Sequence, residues 1–559
     1  MPDSFKNIGG LNVKPKGPGE VAARTLFILT AAACAMTCLL ALLPATGHDQ
    51  MWLLLAAQRM GSHLDPYGPL VFESNPPLAI WLSAFVVALA GVLHVSLTVM
   101  FKLGVTLLAA GSAGVSAKLL RRLEPGLSSA SLWFLGFVFV LVFGAVPARD
   151  FGQRDHVLTL LLLPYLLGAA LDTYRRAPRL SPANRIVLTA TAALGLALKP
   201  HQALIAVFVE LTLLLRSTEW VPRRRRPADA REALYAPPLR LIEPFVFVVC
   251  AATYVGAIYV LAPTYFTQVL PIVRETYWAF GNLSLPGLVA QAPELYVLFL
   301  AALLFNQLLN RRLHESAIVP ILGLGGAAAT IAYWLQGTGW YYQQLPAISL
   351  FSLAVAFRLL DVWTLYPVRI PRWLPIPLGG LTLLALGLTI HFSEFEIVPG
   401  RAFPADIEQA QPVPDPAFFR DLPAGSAVAT LTTSVDDTVP PAFRYRLVLA
   451  QRYPHLWMLP AILRTELGPA PSHRIGAEQL AELDRIQHRF MVEDLERWHP
   501  ALILVERCQD AAVHCQVLED WHDDLLAFFM RDAEFAGIFA HYRLVRRVGA
   551  YDGYVLADP

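Results

Sequence analysis

The sequence predicts a polytopic α-helical membrane protein with a soluble α/β domain at its C-terminal end. Three observations predict it. The 559 residues are 55% hydrophobic and 16% charged, with a mean hydropathy of +0.48, too apolar for a soluble chain of this length. Apolar runs long enough to cross a hydrocarbon core of about 30 Å recur from residue 22 to residue 392. Beyond residue 393 the chain becomes charged, and short buried-strand patterns alternate with helical ones.

Taken in order, the apolar runs lie at 22–45, 97–120, 128–147, 157–171, 186–198, 202–215, 241–262, 293–309, 316–335, 344–360 and 373–392. They give about eleven spans, two of them short. The first run has no Ala-x-Ala exit and more spans follow it, so it reads as a retained anchor. Residues 1–21, with Lys6, Lys14 and Lys16, then form a cytoplasmic N-terminus.

Arginine bias sets the remaining topology. Alternate loops collect Arg121 and Arg122, then Arg175 to Arg185, the run at 223–226, Arg311 and Arg312, and Arg358 to Arg372. Placing these inside satisfies the positive-inside rule, provided that Leu78–Leu93 lies along the membrane surface rather than crossing it. The opposite loops, 46–96, 148–156, 263–292 and 336–343, then face outward, as does the domain at 393–559. This is the topology expected of a multi-pass protein of a bacterial inner membrane with a periplasmic domain. The net charge of +1 says nothing about nucleic acid, but no basic stripe is interleaved with aromatics, so no nucleic-acid partner is expected.

In the C-terminal domain, 427–434 and 501–506 read as strands, and 477–497 and 516–535 as helices. Its two cysteines, Cys508 and Cys515, are expected to form a disulfide in an oxidising compartment, because a single nearby His514 leaves a metal site incomplete.

Four outward loops carry the polar residues that spans do not need. The first holds His48, Asp49, Arg59, Tyr67, Glu73 and Asn75; the second, ARDFGQRDH, holds Arg149, Arg154, Asp155 and His156. A short turn, LKPH, supplies Lys199 and His201, and GWYYQQLP supplies Trp340, Tyr341, Tyr342 and Gln343. Ionisable groups at a membrane boundary are costly unless they face water or one another, which makes such clusters functional candidates. A carboxylate there can deprotonate a hydroxyl, while Lys, Arg and His meet the charge of a phosphate leaving group. Each has a plainer reading: Asp49 as a helix cap, Asp155 as a partner of Arg149 or Arg154, Lys199 and His201 as snorkelling residues, and the aromatics as an interfacial belt.

Asp49, Met60, Gly61, Tyr67, Phe72, Glu73, Pro76, Pro77 and Leu78 stand in an order that resembles the first periplasmic loop of GT-C glycosyltransferases. The chain is similar to the lipid A aminoarabinose transferases and protein O-mannosyltransferases, and its FESNPP, FGQRDH, LKPH and GWYYQQLP set resembles a separate bacterial branch of the superfamily. The resemblance extends to Lys102, Asp155 and Lys199 and covers about the first 220 residues well. It implies a GT-C fold, Asp49 as the catalytic base, assistance from Asp155 and Glu73, and a polyprenyl-phosphate-linked sugar as donor. Where the aminoarabinose transferases have Phe-Glu-Lys-Pro, this chain has Phe72-Glu73-Ser74-Asn75-Pro76, so Lys199, Arg154 or His201 can supply the phosphate charge instead, and the donor need not be the same.

The expected activity is therefore inverting transfer of a sugar to a lipid, glycan or protein acceptor at the outer face, with membrane lipids as further partners. A divalent cation, magnesium or manganese, is left open as a cofactor, since no ligand spacing decides it. A polymerase or ligase using a lipid diphosphate is the alternative enzyme. A transporter or flippase is the alternative class, favoured chiefly by Glu210 within a span.

Overall fold

A computed structural model of the protein describes residues 23–25, 27–32, 35, 46–171, 180–217, 241–281, 283–310, 318–365, 414–467, 475–513, 515, 518 and 522–557. The expected N-terminal tail, most of the first span, the last span at 373–392, His514 and the arginines at 175–179, 223–226, 311–312 and 369–372 lie outside them.

Among the described residues, five helices are long and apolar enough to cross a membrane: Leu97–Leu123, Arg154–Leu171, Ile242–Leu261, Ile318–Gln336 and Tyr341–Asp361. Several other expected spans form shorter apolar helices, including Ser129–Ala145, Pro182–Leu198, Pro200–Leu215 and Pro293–Asn306. Their ends are set locally. Ser96, Ser128 and Ser181 accept the backbone N–H of Val99, Ser131 and Asn184, and Pro182 occupies the first turn after Ser181, where a missing N–H costs nothing.

Helix Arg154–Leu171 is the axis of the bundle. Every side chain in it except Val157 is buried, consistent with a helix that is apolar all round. It packs against helices Leu97–Leu123, Pro182–Leu198, Ile318–Gln336 and Leu345–Leu365. Ile242–Leu261 instead exposes Phe245, Val248, Val255, Tyr259 and Val260, an outward apolar surface suited to lipid. Glu210 accepts a hydrogen bond from the Tyr165 hydroxyl at 2.5 Å, so the carboxylate that favoured transport has a partner inside the bundle.

The C-terminal region holds a five-stranded sheet ordered β2-β1-β3-β5-β4. β1 (Ala427–Leu431) pairs in parallel with β2 (Val448–Leu449) and β3 (Leu502–Glu506), and β5 (Tyr551–Leu556) pairs antiparallel with β3 and with β4 (Tyr542–Val548). The edge strand β4 is mostly exposed and carries Arg543, Arg546 and Arg547, charges that discourage further pairing. Helix Ala477–Trp498 matches the expected 477–497. Of the expected helix at 516–535, residues 516, 517 and 519–521 lie outside the described residues, and the rest holds the short helix Leu525–Phe529 and the start of Ala533–Phe539, because Asp524 and Asp532 each cap a new start.

This region does not keep its core to itself. Phe72 of the first loop stacks on Trp457 with ring centres 5.8 Å apart and meets Phe490 edge-on at 5.0 Å. Met51, Trp52 and Leu53 share a second cluster with Val439, Ala442 and Leu449. The first loop is thereby clamped between the helical bundle and the sheet, and the loops after β1 and β2 are brought to the bundle's polar end.

Candidate active site

Helix His48–Met60 begins at the second loop. A Cβ on Gly47 would lie 2.8 Å from the Arg149 carbonyl oxygen, so only glycine permits this approach. Asp49 then falls in the first turn, where the helix dipole favours a carboxylate. It makes no capping bond. Asp49 Oδ2 accepts from Gln153 Nε2 at 2.7 Å and stands 3.7 Å from Arg154 Nη2.

The second loop turns on Gly152, whose φ of +86° is a conformation that side chains with a Cβ rarely adopt, with the Phe101 ring packed against it. The turn starts helix Arg154–Leu171 and sends two neighbours to different partners. Arg154 reaches Asp49; Asp155, fully buried, meets Lys199 Nζ at 3.4 Å and Gln202 Nε2 at 3.5 Å. Asp49 and Asp155, distant in sequence, thus belong to one charged cluster. Arg154 is only 7% exposed, and its Nε and Nη1 have no hydrogen-bond partner.

Lys199 Nζ lies 5.0 Å from the centre of the Tyr342 ring. From there a line of rings runs back toward Asp49: Tyr342 to Trp340 at 5.8 Å, Trp340 to Phe280 at 6.2 Å, and Phe280 to His455 at 6.3 Å. His455 comes from the C-terminal region and sits within electrostatic reach of Asp49 and His48. So does Asp436, which accepts from His48 Nδ1 at 2.8 Å and lies 4.0 Å from Arg149 Nη1. His48 Nε2 is 3.4 Å from Asp49 Oδ1.

Burial works against charge on all these groups, and their neighbours decide the outcome. For His48, Asp436 by charge and hydrogen bond, then Asp49, overcome burial and push it up to about 9. For Asp49, His48, Arg154, the Gln153 hydrogen bond and Lys199 outweigh burial and hold it below the usual carboxylate range. Burial prevails at His455, which falls to about 4, and at Lys199, which is lowered despite Asp155.

Several of the expected site residues also have partners within the fold. Glu73 accepts from Trp52 Nε1, from the Asn75 backbone N–H at 2.9 Å, from Ser74 Oγ at 3.2 Å and from Asn75 Nδ2. It therefore organises its own turn, with Asn75 as its donor, and lies within electrostatic reach of Arg154. Tyr67 donates to the Asn75 carbonyl at 2.6 Å and closes the same turn. Arg59 donates to the carbonyls of Gln451, at 2.5 Å, and Leu449, pinning the first loop to the segment around β2. Both ring nitrogens of His156 are taken by backbone, Gly152 N–H at 3.0 Å and the Phe143 carbonyl at 2.9 Å. Tyr341 donates to the Val146 carbonyl at 2.9 Å, and Gln343 accepts from Thr338 at 2.6 Å. Lys102 is buried on helix Leu97–Leu123, next in sequence to Phe101, whose ring packs against Gly152. His201 adjoins Lys199, with a buried Nε2 that lacks a partner. Cys508 and Cys515 are joined by a disulfide.

The sequence reading missed Gln153, Asp436, His455 and Phe280. Gln153 was signalled by its place between Gly152 and Arg154. Asp436 follows β1 at the carboxyl edge of the parallel strands, where α/β sheets gather ligands. His455 and Phe280 carry no local signal.

A divalent cation fits these groups poorly. Asp49 faces Arg154, Asp155 faces Lys199, and Asp436 faces His48 and Arg149, so each carboxylate is already opposed by a cation. Among the described residues, the one set of three potential ligand atoms within 4.8 Å is Glu506, Cys508 and Cys515, whose sulfurs are bonded to each other.

No family model and no curated protein matches the sequence. Among solved structures the chain is similar to ArnT from Cupriavidus metallidurans bound to undecaprenyl phosphate, at 15% identity and a TM-score of 0.50, covering 96% of this chain and 100% of that one. The apo state of the same protein matches at 14% identity and a TM-score of 0.46, with the same coverage of 96% and 100%. The apo oligosaccharyltransferase of Archaeoglobus fulgidus matches at 12% identity and a TM-score of 0.41, covering 87% of this chain and 69% of that one. At such identities the likeness speaks to fold, and the first of these matches, taken with the helical bundle and C-terminal sheet, relates the chain by fold to the GT-C glycosyltransferases.

Proposed function

We propose that the chain is an inverting glycosyltransferase that moves a sugar from a polyprenyl phosphate to an acceptor hydroxyl at the outer face of a bacterial inner membrane. The observation that carries this reading is Arg154: a buried guanidinium paired with Asp49 on one nitrogen, two others unpartnered, and Lys199 close by. That arrangement suits an anion with several oxygens, as a phosphate ester has. The ArnT structure similar to this chain holds undecaprenyl phosphate.

In this reading the lipid tail stays in the bilayer and its phosphate sits against Arg154 and Lys199. Asp49, kept ionised by its neighbours, takes the proton of the acceptor hydroxyl. The acceptor oxygen bonds to the anomeric carbon from the face opposite the phosphate, and the bond from that carbon to the phosphate oxygen breaks. Arg154 and Lys199 meet the charge left on the phosphate. The rings of Tyr342, Trp340 and Phe280 offer the sugar an apolar wall between the two carboxylates. The domain at 393–559 then lies in the periplasm and the arginine-rich loops in the cytoplasm.

The test compares lipid extracts from cells producing the wild type or Asp49→Asn. The wild type consumes a polyprenyl-phosphate-linked sugar that accumulates in the variant, while both bind undecaprenyl phosphate. Equal levels of every such lipid in the two strains would remove the assignment.

A further inference from the structure

The polar end of the bundle is completed by the C-terminal region. The loop after β1 leaves the sheet where the chain passes to β2 on one side and β3 on the other, and this carboxyl edge abuts the start of helix His48–Met60. Asp436 in that loop binds one nitrogen of His48, and the other nitrogen faces Asp49. Neighbouring residues on a helix do not ordinarily face each other, so the His48 ring must be held in place to meet Asp49. A hydrogen bond to one imidazole nitrogen fixes both the tautomer and the direction of the other.

We infer that Asp436 is a positioning residue of the reaction centre, acting through His48 on Asp49, so that the C-terminal region is part of the catalytic unit. This inference rests on the reading of Asp49 as the base. Four groups from three segments act on the His48 ring. Asp436 and Asp49 favour its charged form, Arg149 opposes it, and His455 stands near it in the neutral state. With Asp436 in place, His48 is hydrogen-bonded on one nitrogen, and its other nitrogen, 3.4 Å from Asp49 Oδ1, keeps the Asp49 carboxylate turned toward Arg154 and the acceptor. Without it, the ring loses its anchor and its charge near neutral pH.

The experiment uses the full chain in lipid nanodiscs with carbon-13-labelled histidine, the His48 signal being assigned by its loss in His48→Gln. The midpoint for His48 is expected to fall from about 9 in the wild type toward the ordinary value near 6.5 in Asp436→Asn. Asp436→Glu should restore part of the shift. In membranes, consumption of the polyprenyl-linked sugar should lose its alkaline range in Asp436→Asn, and adding His48→Gln should cause little further loss, since both act on one path. Melting temperatures of each variant separate misfolding from loss of the anchor, and Asp436→Glu carries the test if Asp436→Asn does not fold. An unmoved His48 midpoint in a folded variant overturns the inference, as does a moved midpoint with an unchanged pH profile. A moved midpoint in a chain that binds no undecaprenyl phosphate supports the linkage and sinks the transferase reading instead.

Discussion

Arg154 Nη2 stands 3.7 Å from Asp49 Oδ2, and this contact joins the second polar loop to the first. The same guanidinium keeps two nitrogens without a hydrogen-bond partner. Replacing it with glutamine should therefore abolish binding of undecaprenyl phosphate by the purified full chain. Lysine should fail to restore it fully, because a point charge cannot reproduce the planar fork of donors. Native mass spectrometry with undecaprenyl phosphate reads the result, and wild-type binding by Arg154→Gln would place the phosphate elsewhere.

Lys199 is the cation opposite a fully buried Asp155. Breaking such a pair from one side leaves an uncompensated charge, at a cost of about 3 to 5 kcal/mol. Lys199→Met should lower the melting temperature clearly, and Lys199→Met with Asp155→Asn should recover most of it while remaining inactive. If the double variant melts no higher than the single one, the pair does not account for the loss.

The Gly152 turn aims Arg154 and Asp155. Alanine there combines an unfavourable φ of +86° with a Cβ placed 2.6 Å from the Phe101 ring. Together these should cost about 1 to 3 kcal/mol and weaken undecaprenyl phosphate binding. Trimming the ring with Phe101→Leu should recover only the steric part. Thermal unfolding of the two variants, single and double, separates the contributions.

A buried acidic pair, Asp437 after β1 and Glu506 at the end of β3, gives the fold a pH dependence. Burial pushes Asp437 up to about 8 and Glu506 up to about 7, against ordinary values of 3.8 and 4.5. The folded chain therefore binds more protons than the unfolded chain between those limits. Stability contributed by the neutral forms is full below about 4 and is lost as pH rises through about 8. Asp437→Asn keeps a group that can accept from Tyr551 but cannot ionise, so its melting temperature should fall less than the wild type's between pH 5 and pH 8. Parallel curves for the two proteins would contradict the assignment.

What the sequence made legible was local. The apolar runs and the helix at Ala477–Trp498 follow from neighbours in the chain. The break between Leu525–Phe529 and Ala533–Phe539 was also written locally, in Asp524 and Asp532, but the helical period hid it. The site was legible as a set of loops, because Asp49, Arg154, Asp155, Lys199 and Tyr342 are polar or aromatic where spans end. Their division of labour was not. Glu73 looks as reactive as Asp49 in sequence, yet Trp52 and Asn75 take up its oxygens, and that depends on how the turn folds. Asp436 and His455 reach the site only because the first loop shares its core with the sheet, a contact across nearly 400 positions in the case of His48 and Asp436, which are 388 residues apart.

The most direct measurement is a cryo-electron microscopy structure of the full chain in nanodiscs containing undecaprenyl phosphate. The account predicts phosphate oxygens about 3 Å from Nε or Nη1 of Arg154, with Lys199 on the same phosphate and Asp49 facing the space beside it. A phosphate seated away from Arg154, with that guanidinium still unpartnered, would contradict it.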